Sequence, residues 1–333
     1  MSTPFVPTPF TAPVISPDVA TLFRRTPYIS PSEYKSAPTA VATNNLVVGG
    51  TAQQNLNELS NVIMRASSWV DTLCFHRAEG TLAASPSTES GWITPRQQGE
   101  LSLQCNFKPI LEVDAIAIGP GPGFMNSLDS SAVGYITTEG NIISLNAPWG
   151  GVAPFSPTTL YPSFSRRNGK IYCVWTYVNG YPHTYLAANA TAGQSTITVG
   201  PSIPGQSIVY GVYPGSTQLV IHDDITGNET VTVSGVNGLT LSLASPLLYN
   251  HAILTAPDAV RVTAIPWIVE QACISLVSAL IKLRGTRAAV IPNVQGTQST
   301  KQALIQAGGQ SDYQAAFDML KPFKTVYVRN SSA

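Results

Sequence analysis

Charge is what this sequence has least of. Lys, Arg, Asp and Glu make up 11% of its 333 residues, 18 basic against 18 acidic, and the net charge is zero. A soluble domain usually carries about a quarter charged residues. So neutral a chain points either to a surface partly covered by partners or to a neutral Ser/Thr-rich β protein, and it excludes the dense basic patch of a tight nucleic-acid binder. Cysteine is scarce too. Cys74, Cys105, Cys173 and Cys273 stand far apart with no CxxC pair, which argues against a disulfide framework or zinc site and for buried free thiols. The opening residues, MSTPFVPTPFTAPVISP, contain no basic n-region and no apolar h-region. They do not read as a secretory signal, so synthesis in the cytoplasm is expected, and the Asn-x-Ser/Thr triplets at Asn189, Asn228 and Asn330 carry no glycosylation meaning.

Catalytic motifs are missing as well. Gly119, Gly121 and Gly123 have the look of a phosphate loop, but Pro120 and Pro122 remove two backbone donors and no Lys-Ser/Thr follows. Cys74 and His76 lie at a helix end, poorly placed for a dyad, and His183, His222 and His251 have no partner at i,i+4. His222-Asp223-Asp224 reads as a turn that caps its own backbone, with a weak cation site as the alternative. G-x-S-x-G does not occur. No cofactor, metal or reaction class is expected.

What the chain has is apolar length, 44% of residues. Pro266 to Gly285, PWIVEQACISLVSALIKLRG, reads as a helix opened by Pro at N1 and closed by an αL glycine. Apolar side chains cover most of its circumference, while Gln271, Ser275, Ser278 and Lys282 form one narrow polar stripe. Such a helix must be enclosed by other elements, and its charges argue against a membrane span. Thr51 to Cys74 supplies an amphipathic cover, with Leu56, Leu59, Ile63, Ala66, Val70 and Leu73 at spacings of three and four. Upstream, Met1 to Ser16 is a Pro/Thr-rich stretch, an extended arm or a disordered tail. Ser16-Pro17-Asp18 opens a short helix through Phe23, and Ser30-Pro31-Ser32-Glu33 is a capping box.

Strand signals fill the middle. Ile110 to Ile118 ends at the Gly/Pro run, Ala132 to Leu145 reads as two strands about Glu139-Gly140, and Lys170 to Asn179 alternates. Leu186 to Pro257 then forms its own run: Thr196 to Val199, Gln218 to His222, Glu229 to Val233 and Leu239 to Leu243 are strands, with an Asn237-Gly238 hairpin signal. After Gly285, Ser299 and Ser311 open short capped segments, and Lys324 to Val328 is β-prone. The fold class expected is α+β: a small helical bundle core with an associated β-sheet layer and a separate inserted all-β domain. Residues 1–50 form the arm and short helices, 51–185 and 258–333 the core, and 186–257 the insertion.

A helix ending ASSWVDTLC, a strand PILEVDAIAIG, a strand ending TYVNGYP, the helix PWIVEQACISLVSALIKLRG and a final LKPFKTV follow one another in order. In that order they resemble the head-tail adaptor (head-completion or connector) proteins of long-tailed bacteriophages. The match falls at Ala66 to Asp71, Pro109 to Ile118, Thr176 to Pro182, Pro266 to Ala272 and Leu320 to Phe323, about half of the chain. The segment from Leu186 to Pro257 and the N-terminal arm depart from the compact members of that family. The resemblance implies a virion protein of the neck: a homo-oligomeric ring, usually of twelve copies, between the portal protein and a stopper or tail-completion protein. DNA passes through the channel without sequence-specific binding, and no membrane is involved. Interface candidates, to portal or neighbouring subunit, are Phe5, Phe10, Phe317, Leu320, Pro322, Phe323, Val326, Tyr327 and Val328. A tail-tip or fibre-type binding protein, using Tyr210, Tyr213 and Tyr249 on the β segment, is the alternative.

Overall fold

The computed structural model describes residues 26–75, 81–94, 101–128, 133–136, 141–145, 170–203, 205–223, 227–253, 260–284 and 310–324. Two compact units emerge, one built on Ser85–Gly180 and the other on Asp18–Ala84 with Tyr181–Lys324.

Among its described residues the first unit contains strands and no helix. Its strands are β1 (Ser85–Ile93), β2 (Leu101–Gln104), β3 (Ile110–Gly121), β4 (Phe124–Leu128), β5 (Val133–Ile136), β6 (Ile142–Leu145) and β7 (Ile171–Asn179). They form an antiparallel sheet in the order β1-β7-β3-β4 and a second in the order β2-β6-β5. The alternation in β7 turns Ile171, Cys173, Trp175 and Tyr177 inward. The Gly/Pro run does not stop β3 where the sequence suggests. The strand continues through Gly119 to Gly121 and turns at Pro122-Gly123, because Gly121 still pairs with Phe124 across a local shift of register. A polar lock ties β1 to the segment after β2. Glu89 accepts hydrogen bonds from the Tyr177 hydroxyl (2.5 Å), the Asn106 backbone (2.7 Å) and the Asn106 amide (2.8 Å). Burial, with the Glu89 charge beside it, holds the Tyr177 hydroxyl far above the usual phenol range.

The second unit joins helices to a sheet. The helices are α1 (Pro31–Ser36), α2 (Ala52–Phe75), α3 (Trp267–Arg284) and α4 (Gln310–Leu320), the last running into a 3-10 turn at Lys321–Phe323. The capping box is realised: the Ser30 hydroxyl accepts from Glu33 N (3.1 Å), the Glu33 carboxylate accepts from Ser30 N, and Pro31 opens α1. On α2 the buried face is Leu59, Val62, Ile63, Ala66, Ser67, Val70 and Cys74. Leu56 and Leu73 fall at its half-buried margin. Val269, Ala272, Cys273, Leu276, Val277 and Ala279 of α3 are also buried, each large aliphatic contributing about 1.5–3 kcal/mol. Ser67 Oγ and Cys273 Sγ, 3.7 Å apart, mark where α2 meets α3 across the long intervening chain. The polar stripe of α3 is partly enclosed. Gln271 is exposed, but Ser278 is buried and shares a 3.0 Å hydrogen bond with the Tyr34 hydroxyl. Lys282 pairs with Asp312 (2.6 Å) and Trp69 meets Tyr313 edge-on, securing α4.

The sheet of this unit contains β8 (His183–Tyr185), β9 (Thr196–Thr198), β10 (Gln218–His222), β11 (Glu229–Asn237), β12 (Thr240–Leu243) and β13 (Arg261–Thr263). Their order is β8-β13-β10-β11-β12-β9. Its two edge strands meet, since Ala187 N donates to Thr198 O (2.9 Å) and Gly200 N to Tyr185 O (2.7 Å), so the sheet curls into a half-barrel. Leu186, Ile197, Val199, Leu219, Ile221, Val233, Leu241 and Val262 fill it. The β11-β12 hairpin forms, but one residue later than Asn237-Gly238 implies. Asn237 pairs with Thr240, leaving Gly238 (φ +58) and Leu239 as the loop, and the register shifts farther along, between Val233 and Gly235.

The expected helical bundle core with a β layer and a separate all-β insertion is therefore overturned. Three sheets dominate the described residues and the helices are few. Hydrophobic periodicity reveals which face of a helix is buried, not what buries it. Nor do the strands of 186–257 form a sheet of their own: β8 and β13, on either side of that interval, complete the half-barrel. The arm, Ser16 to Phe23, the Glu139-Gly140 turn, the Ser299 segment and the tail after Lys324 lie outside the described residues.

Candidate functional site

Two polar clusters diverge from the end of β10. Strand alternation points Leu219 and Ile221 into the half-barrel, and Asp223 is buried on the same phase, while His222 takes the opposite one. On the His222 side lies Arg261 of β13, buried to 1% exposure between α1 and α3. Its Nε donates to Glu33 Oε2 (3.1 Å), its Nη2 to Glu33 Oε1, and its Nη1 to Glu270 Oε1 (3.1 Å) and to the Tyr28 carbonyl (2.5 Å). The ring of His222 bridges the same carboxylates, Nδ1 at 3.2 Å from Glu33 and Nε2 at 3.4 Å from Glu270. Burial works to raise the Glu33 carboxyl, but the Arg261 charge and hydrogen bonds from His222, Arg261 and Ser30 hold it down at about 2. Those carboxylates keep Arg261 firmly protonated despite its burial.

Donor atoms of Glu33, His222 and Glu270 lie within 4.8 Å of one another, close enough to resemble a cation site. The guanidinium of Arg261 already contacts both carboxylates, however, and occupies the position of the positive charge. The chemistry is that of an ion-paired joint between half-barrel and helices, in which each carboxylate neutralises part of a buried cation.

On the inner side, His251 is held between Asp223 (Nδ1 to Oδ2, 3.0 Å) and Glu229 (Nε2 to Oε2, 3.3 Å), all three buried. Glu229 also accepts from the backbone of Leu248 (2.7 Å) and Tyr249 (3.3 Å). The triad anchors the loop after β12. His183 is the second buried histidine among the described residues. Its Nε2 faces the Thr26 and Pro27 carbonyls and its Nδ1 faces Thr263 Oγ1 (2.9 Å). Burial first, and then the nearby Arg261 charge, lower it to about 3, so it is neutral with the proton on Nε2.

Among the described residues, one small cavity lies beside these elements. A cavity lined by Tyr28, Ser67, Asp71 and Thr81 has about 20 Å³ of space, room for one water molecule. The thiols are buried, and burial pushes Cys173 and Cys273 up to about 12. Cys74 follows suit in being buried, and His76 lies outside the described residues.

The interface candidates are scattered in exposure. Leu320 is fully buried. Phe317 is half-buried with the Lys324 ammonium 3.2 Å from its ring centre, and Phe323 is half-buried against Tyr181. Pro322 is exposed. Phe5, Phe10, Val326, Tyr327 and Val328 lie outside the described residues. Of the tyrosines named on the β segment, Tyr249 is exposed while Tyr210 and Tyr213 are half-buried.

Arg261, Glu270, Glu229 and His251 were not legible as partners in the sequence. One signal was present: a lone arginine in the apolar run Val260 to Ile265 marks a buried charge that must find counter-charges. No family model matches the chain, and neither a characterised protein nor a solved structure comparable to it is found.

Proposed function

We propose that this chain is a structural virion protein of a long-tailed bacteriophage, a head-tail adaptor that forms a ring between the portal and the stopper or tail-completion protein. In this reading it is made in the host cytoplasm and takes its place in the neck, with DNA passing through the channel. The observation that carries the reading is how the five resembling segments fall on the fold. ASSWVDTLC lies at the end of α2, PILEVDAIAIG runs into and along β3, and TYVNGYP carries the end of β7 at Asn179. PWIVEQ opens α3, and LKPF ends α4 in its 3-10 turn. Among the described residues, the buried charged groups named above all have structural partners, which favours an assembly role over an enzymatic one. A neutral channel wall would let DNA slide without sticking.

The test is the mass of the purified chain in solution, alone and with its portal protein. A ring of about a dozen copies, or a monomer that assembles only on the portal, supports the adaptor; a stable trimer indifferent to the portal supports the tail-tip or fibre alternative. Within the adaptor reading, the β-prone residues from Lys324 to Val328 add a strand to the portal or to a neighbouring subunit. Portal-bound rings recovered after deletion from Pro322 onward would refute that contact. Phe5 and Phe10 anchor the N-terminal arm on an adjacent protomer, a contact that rings unaffected by Phe5→Ala with Phe10→Ala would refute.

A further inference from the structure

Between residues 186 and 257 the chain contains only three charged side chains, Asp223, Asp224 and Glu229, and no Lys or Arg. Asp223 and Glu229 are buried against His251. A soluble surface is ordinarily about 25–35% charged, whereas charge depletion with exposed aromatic and aliphatic groups marks the core of an interface. The half-barrel carries those groups too. Among the described residues, seven large hydrophobics are exposed, and Ile208, Val236, Leu248, Tyr249 and Ile253 of this segment are five of them.

They fall at two ends. Strand β12 begins after the Gly238-Leu239 loop, beside which Val236 stands. The Ser207 carbonyl lies within ordinary van der Waals reach of a Cβ placed on Gly238, so Ile208 belongs to the same end. Strand β12 finishes in the loop that bears Leu248, Tyr249 and Ile253. That second end is rigid. The buried Glu229 holds the backbone of Leu248 and Tyr249, Asn189 accepts from Ile253 N (2.7 Å), Asn250 accepts from Ala192 N (2.8 Å), and His251 pairs with Ala190. Leu248 is nevertheless 73% exposed. A preorganised apolar knob loses little conformational freedom on docking, which is how a few residues come to dominate an interface.

We propose that the half-barrel is a self-docking module, in which the Leu248–Tyr249–Ile253 end of one copy seats on the Ile208–Val236 end of the next. Charge decides the occupant. A charged partner would leave its own groups desolvated against a surface with no counter-charge, at a cost of several kcal/mol per ion. A surface nearly free of charge is complementary to another such surface, and the one this chain itself carries is the half-barrel of a second copy. Because the two ends differ, the contact is heterologous, and repeated copies close a ring or run into a filament. The inference rests on the half-barrel surface and holds whatever the assembly serves.

The full-length chain is tested by sedimentation velocity from about 1 to about 100 μM, where a contact with a micromolar dissociation constant is visible. The wild-type chain is expected to grow in mass with concentration. Leu248→Glu and Ile208→Glu each alter an exposed position, so both should retain the wild-type circular dichroism and lose self-association by about tenfold or more. Mixed together, each variant still offers one intact end, and a 1:1 pair that grows no further is expected. Tyr249→Ser takes the place of Leu248→Glu if that variant does not fold. A wild-type chain that stays monomeric, an oligomer that survives both Glu substitutions, or variants that do not pair on mixing would overturn the proposal. Adding portal protein to the same cells reads the neck assignment separately, because portal-dependent assembly by both Glu variants would uphold that reading while sinking this one.

Discussion

Glu33→Gln should cost about 3 kcal/mol of folding stability at pH 7, and most of that cost should disappear by pH 3. The carboxyl drops from 4.5 to about 2 on folding, and about 1.4 kcal/mol accompanies each pH unit of such a drop. Its side chain is only 14% exposed, so solvent screening takes little from that figure. Burial opposes the drop; the Arg261 charge and the hydrogen bonds from His222, Arg261 and Ser30 overcome it. A carboxylate with a depressed folded pKa contributes stability that is complete above its unfolded value and is lost as pH falls through its folded value. The window therefore runs from about 4.5 down to about 2. At pH 3 the unfolded chain has taken up the proton and the folded chain has not, leaving about 1–1.5 kcal/mol of the contribution. Urea unfolding of wild type and variant at both pH values, with linear extrapolation, measures the two differences. A difference that is the same at pH 7 and pH 3 would refute the ion-pair account of this joint.

Arg261→Met should be at least as severe, about 3–5 kcal/mol at pH 7, because Glu33 and Glu270 then remain buried without their cation. The cost should shrink as pH falls, because without the Arg261 charge burial raises the Glu33 carboxyl and its protonation relieves the buried, unpaired carboxylate; a loss under about 1 kcal/mol at pH 7 would count against the cluster. Tyr34→Phe and Ser278→Ala, combined in a double-mutant cycle, should show about 1 kcal/mol of coupling across the α1–α3 hydrogen bond; zero coupling would mean the bond contributes nothing. Cys173 and Cys273, buried and held near 12, should not react with a thiol reagent at pH 8 in the native protein, while all four thiols react in denaturant. A rapidly labelled native thiol would contradict that burial.

Local structure was largely written in local sequence. The Pro266 start of α3, the Ser30–Glu33 capping box, the alternation in β7 and the strand at Gln218–His222 depend on residues within a turn or two of one another, and each formed as read. The β11-β12 loop fell one residue later than the Asn237-Gly238 signal, and spacing rules did not foresee the register shift between Val233 and Gly235.

What tertiary structure alone decided is which surfaces meet. An apolar helix announces that it will be covered; whether a bundle or sheets do the covering depends on chain-distant packing, and the helical core expected here gave way to three sheets. Glu33 is readable as a cap, yet its second role requires Arg261 and Glu270, more than 200 residues away. His222-Asp223-Asp224 read as one turn, but alternation along β10 sent His222 and Asp223 to opposite clusters. A charge in the sequence states only that a counter-charge must be found; the fold decides where. The near absence of charge from 186 to 257 was there to be counted from the start. Only the half-barrel shows that two of those three charges, Asp223 and Glu229, face inward, and that the exposed apolar residues of the segment fall at two ends.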